Sequence, residues 1–194
     1  MSTFNGWTII ALPAYPPCPK SIEWKLSDVI GAARSPFSLQ QQTQDWQQSI
    51  LRASVSYPPM SIAQAIPWVV FLMALRGIEN VFMIGDPQNL GPQNPAAVPG
   101  TVTGSGQTGY SLNTSSANLT PGDWIQIGQR LYRVLSVAGG VLGIWPPIRE
   151  SPADGTALII NNTQGLFRLT KNDRGYTVNA QHSYSFTFEI EEAL

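Results

Sequence analysis

Only one stretch of this chain is apolar at helical spacing. Ile62, Ile66, Val69, Val70, Leu72, Met73 and Leu75 recur over residues 62–75, Pro58-Pro59 ends whatever precedes them, and Gly77 supplies a stop. Ser61 stands where a side-chain oxygen caps the first free N–H groups. The spacing predicts a helix over 62–75. Pro67 lies inside it, removes one backbone donor and predicts a kink in the first turns; the alternative is a helix that begins only at Pro67. Because apolar side chains point in nearly every direction, such a helix has to be buried by more than one neighbour.

On both sides of the helix the pattern changes to strands and turns. Residues 7–12, 22–30, 37–43 and 50–57 are rich in β-branched and aromatic side chains. In residues 22–27 Ile22, Trp24 and Leu26 share one face and Glu23, Lys25 and Ser27 the other, so the first three are core candidates of a sheet with one wet side. The Gln-rich run 40–48 reads as a polar hairpin strand or as a low-complexity loop, its flanking apolar residues favouring the strand. Residues 80–87 read as a buried strand ended by a turn, and 88–99, nearly all Pro, Gly, Asn, Gln and Ala, as a surface connection.

A second β pattern occupies roughly residues 100–150, with Pro121-Gly122, Gly128-Gln129 and Gly139-Gly140 at turn positions. It predicts a small barrel or sandwich of its own. Strand patterns return at 157–160, 165–169, 176–179 and 183–190, the last placing Tyr184, Phe186, Phe188 and Ile190 on one side. The expected fold is mainly β. Residues 1–87 and 153–194 would form one discontinuous β-sandwich domain with a packed α-helix, and 88–152 an inserted small β-barrel-like domain entering at an exposed turn.

Composition narrows the function classes. Of 194 residues only 12% are charged and the net charge is −1, so the electrostatic footprint of a nucleic-acid binder is missing and no polybasic handle for a lipid surface exists. The N-terminus lacks a basic region before its short apolar stretch, and 62–75 falls short of a membrane span, so neither secretion nor membrane insertion is expected and the chain should be made in a cytosol. Sequons at Asn113, Asn118 and Asn161 are then chance matches. One cysteine, Cys18, and one histidine, His182, leave no usual Cys/His zinc set within a chain, and no cofactor is expected.

Residues 104–109 match G-x-G-x-x-G, but the Ser/Thr/Asn-rich sequence after them has no helical period to offer a pyrophosphate. His182 has no accompanying nucleophile motif, Cys18 reads as an inert thiol, and the carboxylates are scattered, Asp86 and Asp123 each beside a turn. Catalysis is not expected. Trp124 and Trp145 form a candidate platform for stacking a host-surface glycan, against the plainer alternative of core or interface packing.

Residues 75–77 (Leu-Arg-Gly), 82–87 (Phe-Met-Ile-Gly-Asp-Pro), the glycine run 104–109, 122–128 (Gly-Asp-Trp-Ile-Gln-Ile-Gly), Leu131-Tyr132-Arg133-Val134 and 144–149 (Ile-Trp-Pro-Pro-Ile-Arg) together resemble the distal tail proteins of long-tailed bacteriophages. The resemblance runs from about the helix to residue 150; the first 57 residues share only a general strand pattern. It implies a tail-tip adaptor of the virion: a belt domain of β-sandwich plus helix that assembles as a ring, usually a hexamer, between the tail tube protein and the tail-tip hub protein, with the inserted domain outside. The proline in the helix and the very low charge depart from that family's pattern. A neutral Gln/Asn-rich surface and an over-apolar helix suit a permanently assembled subunit independently of the resemblance. A closed ring needs two different patches per subunit, placed on the 37–57 hairpin (Trp46, Ile50, Leu51) and on the 183–190 strand (Tyr184, Phe186, Phe188). The competing function is a carbohydrate-binding module for host attachment.

Overall fold

The structure, a computed structural model, describes residues 2–14, 16, 18–46, 48–116 and 118–194, and of Ser2 only the backbone. It is a mainly β protein of antiparallel sheets with one helix among the described residues. Gln47, part of the Gln-rich run, lies outside the described residues.

The chain begins with a hairpin of β1 (Ser2–Phe4) and β2 (Trp7–Ile9), turned at Asn5-Gly6 where both residues have positive φ. Next come β3 (Ser21–Ser27), an outlying hairpin of β4 (Ile30–Arg34) and β5 (Gln41–Asp45), then β6 (Ile50–Ser56). Helix α1 spans Ile62–Leu75 and β7 Phe82–Ile84. The middle of the chain supplies β8 (Gly109–Asn113), β9 (Trp124–Ile127), β10 (Arg130–Ala138), β11 (Val141–Ile148) and β12 (Leu158–Ile159). The remainder adds β13 (Gly165–Leu169), β14 (Thr177–Val178), β15 (Tyr184–Ser185) and β16 (Thr187–Glu192).

Two five-stranded sheets result, one ordered β3-β6-β16-β13-β7 and the other β12-β9-β10-β11-β8. In the first, the register aligns Trp24 with Ala53, Ala53 with Ile190 and Ile190 with Leu169, so a single row of inward side chains crosses four strands. Leu51, Val55, Phe82, Phe167 and Phe188 share that face and are buried with it. Helix α1 covers one part of the face and Trp124 and Leu131 of the second sheet join the same core. Trp24 bridges the two, its ring 5.8 Å from both Trp124 and Phe167. On the opposite face, Val81, Leu166 and Ala193 are covered by Phe4, Trp7 and Ile9 of the N-terminal hairpin.

The helix ends follow local chemistry. Ser61 is extended and its N–H donates to the Gln64 side chain at 3.1 Å, while Arg76 and Gly77 take the left-handed conformation that closes the last turn. Asn80 adds a bond from Nδ2 to the Ala74 carbonyl at 2.9 Å. Trp68 lies against Tyr57 at 4.0 Å between ring centroids, and Phe71 meets Phe82 edge-on at 5.3 Å. Burying each such ring contributes about 1.5–3 kcal/mol. Beyond β7 the backbone of Gly85 passes so close to Thr163 that a Cβ would stand 1.8 Å from its carbonyl oxygen, which admits no side chain.

The second sheet has its own core of Val102, Leu112, Ile125, Tyr132, Val134, Leu142, Ile144 and Leu158. Its hairpins turn at Gly128 and at Gly139-Gly140, where both glycines have positive φ as a tight two-residue turn requires. No closed barrel is present among the described residues: β8 and β12 are the edges of the sheet, and residues 100–103 run between them with backbone bonds to 113–115 on one side and 155–158 on the other. The run 157–160, expected with the first sheet, belongs here, because Leu158 and Ile159 pair with Ile127 and Gln126 of β9. Leu26, expected in the core, is 64% exposed: it faces inward on edge strand β3 but lies beyond what covers that face.

Candidate assembly surface

The residues with reactive side chains do not converge. His182 sits exposed in a turn with positive φ, its N–H donating to the Asn179 carbonyl, and Cys18 is an exposed free thiol. Among the described residues no three His, Cys, Asp or Glu side chains group as a metal site would require. Gly104, Gly106 and Gly109 form a loop that enters strand β8, held by Gln107 Nε2 donating to the Thr103 and Gly104 carbonyls and by Gly104 N–H donating to Asp154 at 2.7 Å. Asp123, fully buried, accepts from the N–H groups of Gln93 and Thr120 at 2.8 and 2.7 Å and from the Thr120 hydroxyl. Asp86 accepts from Gln88 N–H at 3.0 Å. Both carboxylates hold turns together.

The glycan platform is not an open pair of rings. Trp124 is buried, with Trp24 beside it, the Arg133 guanidinium 4.5 Å from its centroid, and its Nε1 donating to Asp86 at 3.3 Å. Trp145 is half-buried against the core, and its Nε1 donates to Asp28 at 2.9 Å.

That last bond belongs to a set that fixes the root of the β4–β5 hairpin. Tyr110 of β8 donates to Asp45 at 3.2 Å and lies 3.3 Å from the Ser49 hydroxyl. Arg149, after β11, donates to the Ser49 carbonyl and pairs with Glu192 at 3.1 Å. Bonds from Ser49 first and Trp145 second hold the Asp28 carboxyl below its ordinary range. The second sheet therefore grips the hairpin at its base from β8 and β11.

Beyond the base, the hairpin is an arm. All of Gln41–Asp45 is exposed, and β4 contributes only Gly31, Ala32 and Ala33 between Ile30 and Arg34, so the pair has no core of its own. Its turn carries Phe37, 97% exposed, and Leu39, with Val29, Ile30 and Trp46 exposed at the root. A two-stranded hairpin of this kind is marginal in water unless something packs on it.

Helix α1 presents the other uncovered surface. Ala65, Trp68, Phe71, Leu72 and Leu75 are buried, whereas Ile62, Ile66, Val70 and Met73 are 55–64% exposed and recur every three or four residues along one stripe. The expected burial of the helix from more than one side is thus met on one side within the chain.

The residues expected at a ring contact divide accordingly. Leu51, Phe186 and Phe188 are buried, filling the inward face of the first sheet, so they cannot form an outer patch. Ile50 and Tyr184 are half-buried, Tyr184 with its ring 5.8 Å from Tyr176. Trp46 is 60% exposed, its N–H donating to the Val29 carbonyl at 3.3 Å, which places it at the arm's root. Phe37, Leu39 and the helix stripe are the surface residues that strand alternation does not single out. The surplus of apolar directions around 62–75 was the signal for the stripe.

No protein-family model matches the chain, and no curated protein sequence matches it.

Proposed function

We propose that this chain is a structural subunit of a bacteriophage tail tip, assembling with its own copies into a ring, a hexamer in the simplest case, that joins the tail tube protein to the tail-tip hub protein. The observation that carries the reading is the pair of exposed apolar surfaces, the arm tip at Phe37 and Leu39 and the helix stripe, on a chain with 12% charged residues. A free monomer gains nothing from leaving such surfaces in water, whereas a permanently assembled subunit covers them. In this reading the first sheet with α1 is the sandwich-type ring domain, built from residues 1–87 and the end of the chain. The second sheet is an insertion starting at 88, its end moved from 152 to about 160 because β12 pairs with β9. The insertion also steadies the arm through Tyr110 and Trp145. The virion is then the place of work and the host cytoplasm the place of synthesis.

The experiment is to locate the chain in purified particles. Gold-labelled antibody against it should mark the distal end of the tail; label confined to the head, or a chain absent from particles, would refute the assignment.

A further inference from the structure

We propose that the arm tip of one copy, Phe37 and Leu39, seats on the Ile62, Ile66, Val70 and Met73 stripe of α1 in a second copy, head to tail around the assembly. The inference rests on the ring reading above and names its contact.

Area supports the pairing. From their exposures, the four stripe residues present roughly 450 Å² of apolar-residue surface, and a standard interface of about 800 Å² per partner is a little over half apolar, which is about the same amount. Phe37 and Leu39 bring roughly 350 Å², with Phe37 a projecting ring of the sort that anchors interfaces. Charge supports it as well. Residues 62–75 contain no charged side chain, and the tip is flanked by Ser35, Ser38 and Gln40. The nearest charge, Arg34, is turned to the Leu39 carbonyl at 3.3 Å. The stripe itself carries no ion, and the one cation beside the tip, Arg34, keeps its bond to the Leu39 carbonyl and stays at the rim of the contact.

The head-to-tail form follows from coverage. If two stripes packed on each other, the arms would stay in water, and if two arms packed together, the stripes would. Arm on stripe covers both surfaces of every copy; exchanged reciprocally between two copies it would stop at a dimer, and passed from copy to copy it closes the ring of the reading above. The second sheet's grip on Asp28 and Asp45 sets the direction in which the tip is offered.

Disulfide trapping tests the contact. In a Cys18→Ser background, Phe37→Cys and Val70→Cys are made singly and together, and each purified chain is sized by light scattering before and after mild oxidation. The double variant should give a ladder of covalent multimers reaching the ring number, and an equal mixture of the two single variants should stop at covalent dimers. Dimers from Val70→Cys alone or from Phe37→Cys alone would overturn the pairing, as would an oligomer that never cross-links. A parent chain that stays monomeric would overturn the ring reading itself, and the inference with it. Phe37→Ser, checked for unchanged circular dichroism, should weaken self-association roughly tenfold or more, and an unchanged association constant counts against the contact.

Discussion

The two faces of α1 are made of nearly the same kinds of residue and meet opposite fates. One puts Trp68, Phe71, Leu72 and Leu75 against Tyr57, Phe82, Phe186 and Phe188, and the other leaves Ile62, Ile66, Val70 and Met73 in solvent. Apolarity alone therefore does not decide burial. A face is covered when an element of the chain reaches it, and on the second face of this helix no described element does. The same contrast separates β6, whose alternate residues are locked under the helix and the second sheet, from the β4–β5 arm, whose residues touch little beyond their own hairpin.

The contrast can be broken by mutation. Trp68→Ala should remove about 3–5 kcal/mol of stability, since the ring is wholly buried and its neighbours cannot collapse onto the space; urea denaturation measures it. Gly85→Ala should cost about 2–3 kcal/mol in the same assay, because the new methyl meets the Thr163 carbonyl and not a side chain that can turn aside. Trp145→Phe keeps the ring but loses the bond to Asp28. Roughly 1 kcal/mol of local stability should go, seen as faster amide exchange in β4 and β5 with β6 and β16 unchanged. Equal acceleration throughout would mean that Trp145 supports the core and not the arm.

Acid should act in the same place and more weakly. Asp28 has a lowered carboxyl pKa in the folded chain, so its contribution is complete above the ordinary value of 3.8 and is lost as pH falls from there through the folded value. Protection of the arm amides, taken relative to their intrinsic exchange rate at each pH, should fall over that window in the parent chain and be less pH-dependent in Trp145→Phe. Smallest of all, Val70→Gln should change the stability of the dissociated chain by about 0.5 kcal/mol or less, because its side chain is already in water.

Much of the fold was legible because period and punctuation agreed locally. The helix bounds Ile62–Leu75 and the turns at Gly128 and Gly139-Gly140 coincide with the pattern, since caps and positive-φ glycines act within a few residues. Within the Gln-rich run residues 41–45 are a hairpin strand, β5, as its flanks suggested, but the hairpin is made with β4 and not with the 50–57 strand, which pairs with β3 and β16. What escaped depended on partners distant in sequence. Residues 22–30 look like one run, but they break after Ser27 and restart as β4, whose Gly31-Ala32-Ala33 carries no strand signal. Leu158 and Ile159 look like any buried pair; their sheet is set by pairing with β9 and by residues 100–103, which bond to them on the other side. The surface was harder still. Phe186 and Phe188 alternate as an exposed edge would, and only the arrival of α1 over β16 makes them core.

On the proposed reading, the uncovered helix face is closed by another copy of the chain. Sedimentation velocity of the parent chain beside an Ile66→Gln, Val70→Gln double variant tests it most directly. The parent should sediment as a single multi-subunit species and the variant as a folded monomer; a parent chain that stays monomeric across the micromolar range, or a variant that assembles as well as the parent, would overturn the self-assembly reading.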